Sequence, residues 1–294
     1  MSRHTTPWDV SGRAPEYDGG RPFSWRPYLP TPEIQESNSQ FRGAWRHFAV
    51  HTPGGEAFDS PEVSIASCNG PWGILNAAFL PEPIETEAAL ERSVATAVQY
   101  FAPRKLGWMY VACEDWVAPS LRAKAPAVFD AHGLKLAMTT MGMVAERLAP
   151  PTRPPPELDI GHATDVESLR HVADINAIAY ASPLEVARQS MANPALFQAD
   201  NRGYVGYADG KAVSVAAVMQ VHGIAYVGNV ATLEAYRKRG YAEAVMRHAL
   251  QDARRVWGLE RTVLHATDVG RPIYLRMGYR DVTRFAFYMP AAGH

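Results

Sequence analysis

The most informative stretch of this sequence is Val230-Ala231-Thr232-Leu233-Glu234-Ala235-Tyr236-Arg237-Lys238-Arg239-Gly240-Tyr241-Ala242. An apolar run from Ile224 to Val230 leads into it, and a long amphipathic segment, Tyr241 to Trp257, follows it. This order predicts a strand, a tight basic turn and a helix. The first turn of a helix carries unpaired backbone N–H groups and a partial positive charge, so it favours anions. We therefore predict a phosphate-binding loop at this turn.

The residues of the turn suit that role. Gly240 lets the backbone bend without a Cβ, and Ala242 is small enough for a ligand to approach closely. Backbone N–H groups from Arg239 through Tyr241 to Ala242 would hold a pyrophosphate. The turn also carries three cations, Arg237, Lys238 and Arg239, of which Arg237 or Lys238 would reach the outer phosphates. The alternative interpretation is an ordinary helix start with solvated cations.

Two motifs resemble a known family. Arg237-x-x-Gly240-x-Ala242 resembles the pyrophosphate loop of the GNAT N-acyltransferase superfamily, whose pattern is Gln/Arg-x-x-Gly-x-Gly/Ala. Thr267-x-x-Gly270-x-x-x-Tyr274-x-x-x-Gly278-Tyr279 resembles the family's Ser-x-x-Gly-x-x-x-Tyr-x-x-x-Gly-Phe segment. The resemblance implies an acyl-CoA cosubstrate, with acetyl-CoA expected first. The sequence shows no His/Cys ligand spacing, so we expect no metal.

The resemblance also implies residue roles. The strand before the loop would diverge from its neighbour, so that the backbone of Val230, Ala231 and Thr232 binds the pantetheine arm and the thioester oxygen, with the Asn229 amide in support. Thr267 would offer its hydroxyl to the pantetheine. Tyr274 would act as the general acid that protonates the leaving thiolate. The structural alternative for the strand residues is that they only build a central strand. The structural alternative for Tyr274 is a core aromatic residue that packs the short helix.

The general base is not evident. Many family members carry a Glu on the strand that ends at the loop, but the segment from Ala225 to Val230 contains no carboxylate. The titratable residues nearby in sequence are His222, Glu234 and His265. A lone histidine on such a strand is more often structural than catalytic, so a water chain or a base from the N-terminal half remains equally open.

Composition sets the broad class. The chain has 294 residues, 47% of them hydrophobic and 20% charged, which fits two globular units of ordinary size. A formal net charge of -1 argues against nucleic acid as a partner. The two cysteines show no metal-ligand spacing, no apolar run reaches the ~20 residues of a membrane span, and no apolar signal core follows the N-terminus. We expect a cytoplasmic monomer or homodimer without a membrane partner.

Prolines mark the domain organisation. Residues 1–43 carry so many of them that we expect an irregular, aromatic-rich arm. Five of the eight residues in 149–156 are proline, which predicts an extended linker. The linker separates an N-terminal unit, residues 44–148, from a C-terminal unit, residues 157–294.

The C-terminal unit has the element order βααβββαβαββ, in which residues 279–282 and 284–289 form the last two strands. This order resembles the GNAT fold, an α/β (α+β) fold with a mixed, largely antiparallel sheet flanked by helices. The N-terminal unit looks like a degenerate copy: the short helix at Phe129 lies 145 positions before the one at Tyr274. Phe129 lacks the Tyr274 hydroxyl, and acidic residues, Glu82, Glu85 and Glu87, stand at the matching loop. We therefore expect one coenzyme site per chain.

Together these features predict an acyl-CoA-dependent N-acyltransferase in which an amine attacks the thioester directly. We expect the acceptor to be a small-molecule amine. Two alternatives stay open: a non-catalytic acyl-CoA-binding or regulatory module, and an acyltransferase for a peptide or protein amine.

Overall fold

The structure, a computed structural model, describes residues 28–198 and 200–291. Most of the expected N-terminal arm, residues 1–27, lies outside the described residues. The helices are α1 Pro32–Val50, α2 Glu87–Phe101, α3 Pro119–Arg122, α4 Ala125–Ala131, α5 Val166–Ala179, α6 Leu184–Met191, α7 Tyr241–Trp257 and α8 Arg271–Arg276. The strands are β1 Glu56–Asp59, β2 Ser64–Ser67, β3 Asn76–Phe79, β4 Met109–Cys113, β5 Leu134–Ala145, β6 Asp159–Ala163, β7 Asn201–Ala208, β8 Lys211–Val221, β9 Ile224–Thr232, β10 Thr262–Ala266 and β11 Arg280–Pro290.

Helix α7 has the predicted bounds, and glycines in the left-handed region flank both of its ends. Gly240 has φ +89° before the first turn, and Gly258 has φ +73° after the last. Its apolar residues recur at helical spacing and are buried against the sheet: Val245, Met246, Ala249 and Ala253. The strand–turn–helix prediction is confirmed at this point of the chain.

All eleven strands of the described chain lie in one mixed, mostly antiparallel sheet, in the order β1-β2-β3-β4-β11-β5-β10-β9-β8-β7-β6. The expected fold class is confirmed. In this order β11 lies between β4 and β5, and β5 lies between β11 and β10. The last strand of each half is therefore inserted into the sheet of the other half.

This insertion corrects one prediction. Residues 279–282 and 284–289 do not form two strands, because β11 is a single strand with an irregularity between Asp281 and Thr283. Neither glycine nor proline interrupts residues 279–289, so the chain has no turn there. The place beside β10 that a second closing strand would take is filled by β5.

The two halves repeat one topology. The series β3–α2–β4–α4–β5 in the first half matches β9–α7–β10–α8–β11 in the second. In both series the first two strands pair in parallel. The repetition supports the expectation of a tandem arrangement with a degenerate N-terminal copy.

Helix α1 corrects the expected boundary at residue 43. The prediction of irregular structure is wrong for residues 32–43, which form the first part of α1. Pro32 stands at the first helical position, where its missing N–H is not needed, and no further proline follows before Pro53. The buried residues Phe41 and Phe48 recur at helical spacing. At its start, α1 is tied to the C-terminal half by the ion pair between Glu36 Oε1 and Arg261 Nη2, 2.6 Å apart.

Close packing of α1 on β5 yields a stability prediction. A Cβ at Gly142 would overlap Ser37 Oγ and lie 2.9 Å from Phe285 Cε2. We expect Gly142→Ala to lower the free energy of unfolding by about 1–3 kcal/mol in chemical denaturation, because overpacking forces α1 away from the sheet. The matched control is Gly161→Ala on β6, where the nearest atom would lie 3.7 Å away. Equal effects of both substitutions would contradict this account of the α1 contact.

Candidate active site

The gap between β9 and β10 is the central feature of the candidate site. The two strands pair in parallel over Thr262–Leu264 and Ala225–Val227. Their pairing stops there, although β9 continues to Thr232 and β10 to Ala266. The strands therefore diverge, as the resemblance implies, and one edge of β9 is left without a strand partner beside Val230, Ala231 and Thr232.

A β-bulge on β9 lies at the point of divergence. In the pairing with β8, Ala217 faces Gly228 and Val215 faces Ala231, so Ala216 alone opposes two residues of β9. One of these two, Asn229, has φ +52°, which is in the left-handed region. The bulge turns the β9 backbone beside the gap. The adjacent Gly228-Asn229 pair was the signal in the sequence, since both residue types tolerate such conformations.

The predicted phosphate loop connects β9 to α7. No side chain of the described residues caps the first turn of α7, so its N–H groups remain available to an anion. Arg237 Nε donates to the Thr232 carbonyl at 3.2 Å, and Arg239 Nη2 donates to the Ala235 carbonyl at 3.3 Å. Lys238 has φ +65° and is exposed. All three cations lie at the start of α7, as the sequence indicates.

A fourth cation was missed by sequence reasoning. Arg153, from the proline-rich linker, stands over Gly240: a Cβ at position 240 would lie 3.1 Å from Arg153 Nη2. The linker is docked here because Ala149 N donates to the Met277 carbonyl at 2.8 Å and the Ala149 carbonyl accepts from Arg247 Nη1 at 2.8 Å. The separation of 87 positions between Arg153 and Gly240 left no sequence signal.

Tyr274 and Thr267 lie at the same end of the sheet as the loop, since α8 follows β10 directly. Tyr274 is buried, and its ring lies over Gly270, where a Cβ would be 3.0 Å from Tyr274 Cε2. Burial, and secondarily the neighbouring Tyr180, holds the pKa of Tyr274 above its ordinary value. Its phenol is therefore protonated at neutral pH. Thr267 Oγ1 accepts from Gly270 N at 3.3 Å and also lines the adjoining cavity.

A cavity of about 270 Å³ adjoins the gap. Aromatic and methionine side chains from both halves make up much of its wall, among them Phe41, Trp45, Trp72, Met109, Met219 and Phe287. The β9 segment from Tyr226 to Asn229 and the β10 residues His265 and Thr267 form its end at the gap. Tyr180 also lines the cavity, and half of its surface is exposed. The sequence did not single out this cavity, because its walls come from residues between positions 41 and 289.

His265 is the one histidine or carboxylate residue among the described residues that line the cavity. Its Nε2 lies 3.4 Å from Ser37 Oγ, and its Nδ1 lies 3.2 Å from the Tyr226 hydroxyl. The Phe41 ring centroid is 4.2 Å from that of His265. Burial lowers the pKa of His265 to about 3, so its imidazole is neutral at physiological pH.

The other two base candidates lie elsewhere. His222 is exposed in the turn before β9, at the opposite end of that strand from the phosphate loop. Glu234 is exposed beyond the C-terminal end of β9. Neither residue lines the cavity.

The equivalent corner of the first half has different chemistry. The Thr86 side chain caps α2 by accepting from Ala89 N at 3.3 Å, and Glu87 lies in its first turn. At the position that matches Tyr274, Phe129 stacks on Tyr288 with ring centroids 3.8 Å apart. The helix start is therefore capped by a side chain, and the residue that matches Tyr274 carries no hydroxyl.

Residues 169–279 match the family model described as Acetyltransferase (GNAT) family. A GCN5-related N-acetyltransferase from Kribbella flavida matches 89% of this chain with 96% of its own, at 20% sequence identity and a TM-score of 0.66. One from Sphaerobacter thermophilus matches 81% of this chain with 78% of its own, at 17% identity and a TM-score of 0.54. A functionally unknown conserved protein from Staphylococcus epidermidis gives 13% identity and a TM-score of 0.58, over 79% of this chain and 92% of its own. No curated protein matches the sequence.

The family-model match and the shared fold support an acyl-CoA-dependent acetyltransferase in general. Residues 169–279 are similar to the GNAT family, and the fold shared with the structural neighbours extends over most of the chain. No helix in the described part of the chain has the length and hydropathy of a membrane span. Within residues 28–198 and 200–291, no three His, Cys, Asp or Glu side chains cluster as metal ligands would.

The neutral imidazole of the partly buried His265 predicts a pH dependence of stability. In the unfolded chain its imidazole protonates near its ordinary pKa of 6.5, but in the fold it stays neutral down to about pH 3. Between these values the unfolded state binds the extra proton, so stability falls as the pH falls, by up to about 1.4 kcal/mol per pH unit from this group. We expect His265→Gln to reduce that slope in urea unfolding measured at pH 7, 6 and 5. His222→Gln, at an exposed histidine, is the control; an unchanged slope in His265→Gln would refute the assignment.

Proposed function

We propose that the protein is an N-acyltransferase that takes acetyl-CoA and transfers its acyl group to a small-molecule amine. One observation carries the proposal: the uncapped start of α7 follows β9, α8 with Tyr274 follows β10, and the gap between these two parallel strands opens at that same end of the sheet. An anion-binding helix start beside an open strand edge suits a coenzyme A thioester.

The binding roles follow from the contacts of the loop. Backbone N–H groups of residues 239–242 would hold the pyrophosphate, and Arg237, Lys238 and Arg153 would neutralise the outer phosphates. The free edge of β9 at residues 230–232 would hydrogen-bond the pantetheine and the acyl oxygen. An oxyanion donor of this kind lowers the barrier by roughly 3 kcal/mol. The Thr267 hydroxyl faces the same channel.

The chemical step transfers the acyl group directly. The amine nitrogen forms a bond to the thioester carbon, and the bond between that carbon and sulfur breaks. Tyr274 gives its proton to the departing thiolate, since its raised pKa keeps it protonated until that moment. The proton lost by the amine restores Tyr274 through solvent.

The route of the amine proton depends on what faces the cavity. Its wall contains no carboxylate among the described residues, and a conjugate-acid pKa of about 3 makes His265 a weak base. We therefore propose that the proton leaves through water and that His265, held by Ser37 and Tyr226, positions the acceptor. The missing carboxylate is also what favours the second candidate, a non-catalytic acyl-CoA-binding module.

Tyr274→Phe tests the acid. We expect kcat to fall about 100-fold while the Kd of coenzyme A stays unchanged, because the hydroxyl acts on the leaving thiolate alone. The readout is thiol release from acetyl-CoA in the presence of amines. Tyr207→Phe removes another partly buried hydroxyl, which bonds His171, and serves as the control. Full turnover by Tyr274→Phe would refute the acid role. Coenzyme binding by the wild type without thiol release from any amine would favour the binding module.

Calorimetric titration with coenzyme A tests the phosphate loop. We expect one site per chain, because Thr86 already caps α2. Arg153→Ala should raise the Kd roughly tenfold and reduce its salt dependence, since it removes a charge-assisted contact to phosphate. Arg170→Ala, at an exposed arginine on α5, is the matched control. A stoichiometry near two, or equal Kd values for the two variants, would contradict this assignment.

A further inference from the structure

The acceptor cavity has a chemical character of its own. None of the described residues in its wall is Asp, Glu, Lys or Arg. The indole N–H groups of Trp45 and Trp72 are already used, by the Ile74 carbonyl at 2.7 Å and by Ser182 Oγ at 3.2 Å. What these rings offer a ligand is apolar surface. At about 270 Å³, the cavity lies just below the usual range for small-molecule sites, roughly 300–1,000 Å³.

Two polar groups in the wall lack partners. Asn201 is 1% exposed and donates from Nδ2 to the Leu196 carbonyl at 2.6 Å, but its Oδ1 accepts no hydrogen bond from the described residues. Thr140 is 6% exposed, and its Oγ1 likewise has no partner among them. Buried polar atoms are normally paired, so these two are suited to a ligand that carries a hydrogen-bond donor.

We infer that this cavity takes a primary amine with an uncharged, apolar, aromatic-sized body as the acyl acceptor. The inference rests on the proposed acyl transfer and names its substrate class. A diamine or polyamine carries a second positive charge, and the described residues of the cavity wall offer no carboxylate to pair with it. The ammonium group of a lysine side chain would likewise find no carboxylate among these residues.

The same wall explains how an amine reacts without a carboxylate base. An apolar site disfavours the charged form of a bound amine, so the neutral, nucleophilic form is bound preferentially. The amine nitrogen must lie at the gap end of the cavity, between Asn229 and His265, to reach the thioester carbon. The apolar body then extends toward α1, β4 and β5.

The test compares amines on the full chain with acetyl-CoA. We expect kcat/KM for 2-phenylethylamine to exceed that for phenylalanine, cadaverine and spermidine by about 100-fold or more, because each of these brings a further charge into the cavity. A separate coenzyme A titration reports on the proposed function. If coenzyme A binds but spermidine or cadaverine is the better acceptor, or no turnover occurs with 2-phenylethylamine, the inference is wrong while the coenzyme site stands.

A binding measurement avoids dependence on turnover. The probe is the neutral product, N-(2-phenylethyl)acetamide, titrated calorimetrically. Met138, on the cavity wall and 37% exposed, tolerates a polar replacement; we expect Met138→Glu to raise the probe's Kd at least about tenfold by placing a charge beside the ring. Leu136→Glu, two residues away on β5 and outside the cavity wall, should leave it unchanged. Equal Kd values in the two variants, or no binding to the wild type, would overturn the inference.

Discussion

The antiparallel pairing of β5 with β10 on one side and β11 on the other holds the two halves in one sheet. The pairing of β11 with β4 joins the halves at a second place. The cavity exists because of these pairings: β4, β5 and β11 supply one part of its wall, and β9 and β10 supply the other. Helix α1 packs across the place where the two halves of the sheet meet, and it contacts both halves. The proposed acceptor site therefore belongs to neither half alone.

The N-terminal ends of α2 and α7 occupy equivalent places in the two halves but differ in how their backbone N–H groups are paired. A helix that follows a strand of a parallel pair begins with unpaired N–H groups, and these need a partner. In α2 the partner is the Thr86 side chain, and Glu87 adds a negative charge there. In α7 the left-handed Gly240 supplies no cap, and arginine and lysine side chains surround the opening. One topology thus gives a closed corner in the first half and an anion site in the second.

Local structure was predictable from sequence, and long-range pairing was not. The amphipathic period of α7 and the glycine turn at Gly240 before it are short-range signals, and the structure has both of them. The insertion of β5 beside β10 joins residues more than 100 positions apart, and alternation of side chains specifies a face but not a neighbour. Helix α1 was missed in part because the prolines before it hide its helical period, which begins only after Pro32.

The candidate site shows the same division. The loop at Gly240, Thr267 and Tyr274 could be found because each lies in a short motif with fixed spacing. The cavity and the position of Arg153 could not be predicted, because they depend on how α1, the linker and the inserted strands β5 and β11 pack. His265 was a candidate base on sequence position; its burial, which decides its protonation, is a property of the fold.

A crystal structure with bound acetyl-CoA tests the central claim most directly. We expect the pyrophosphate on the N–H groups of residues 239–242, and the acetyl carbonyl in the gap between β9 and β10, facing the cavity. Coenzyme bound away from the start of α7, or with its thioester outside the gap, would contradict it.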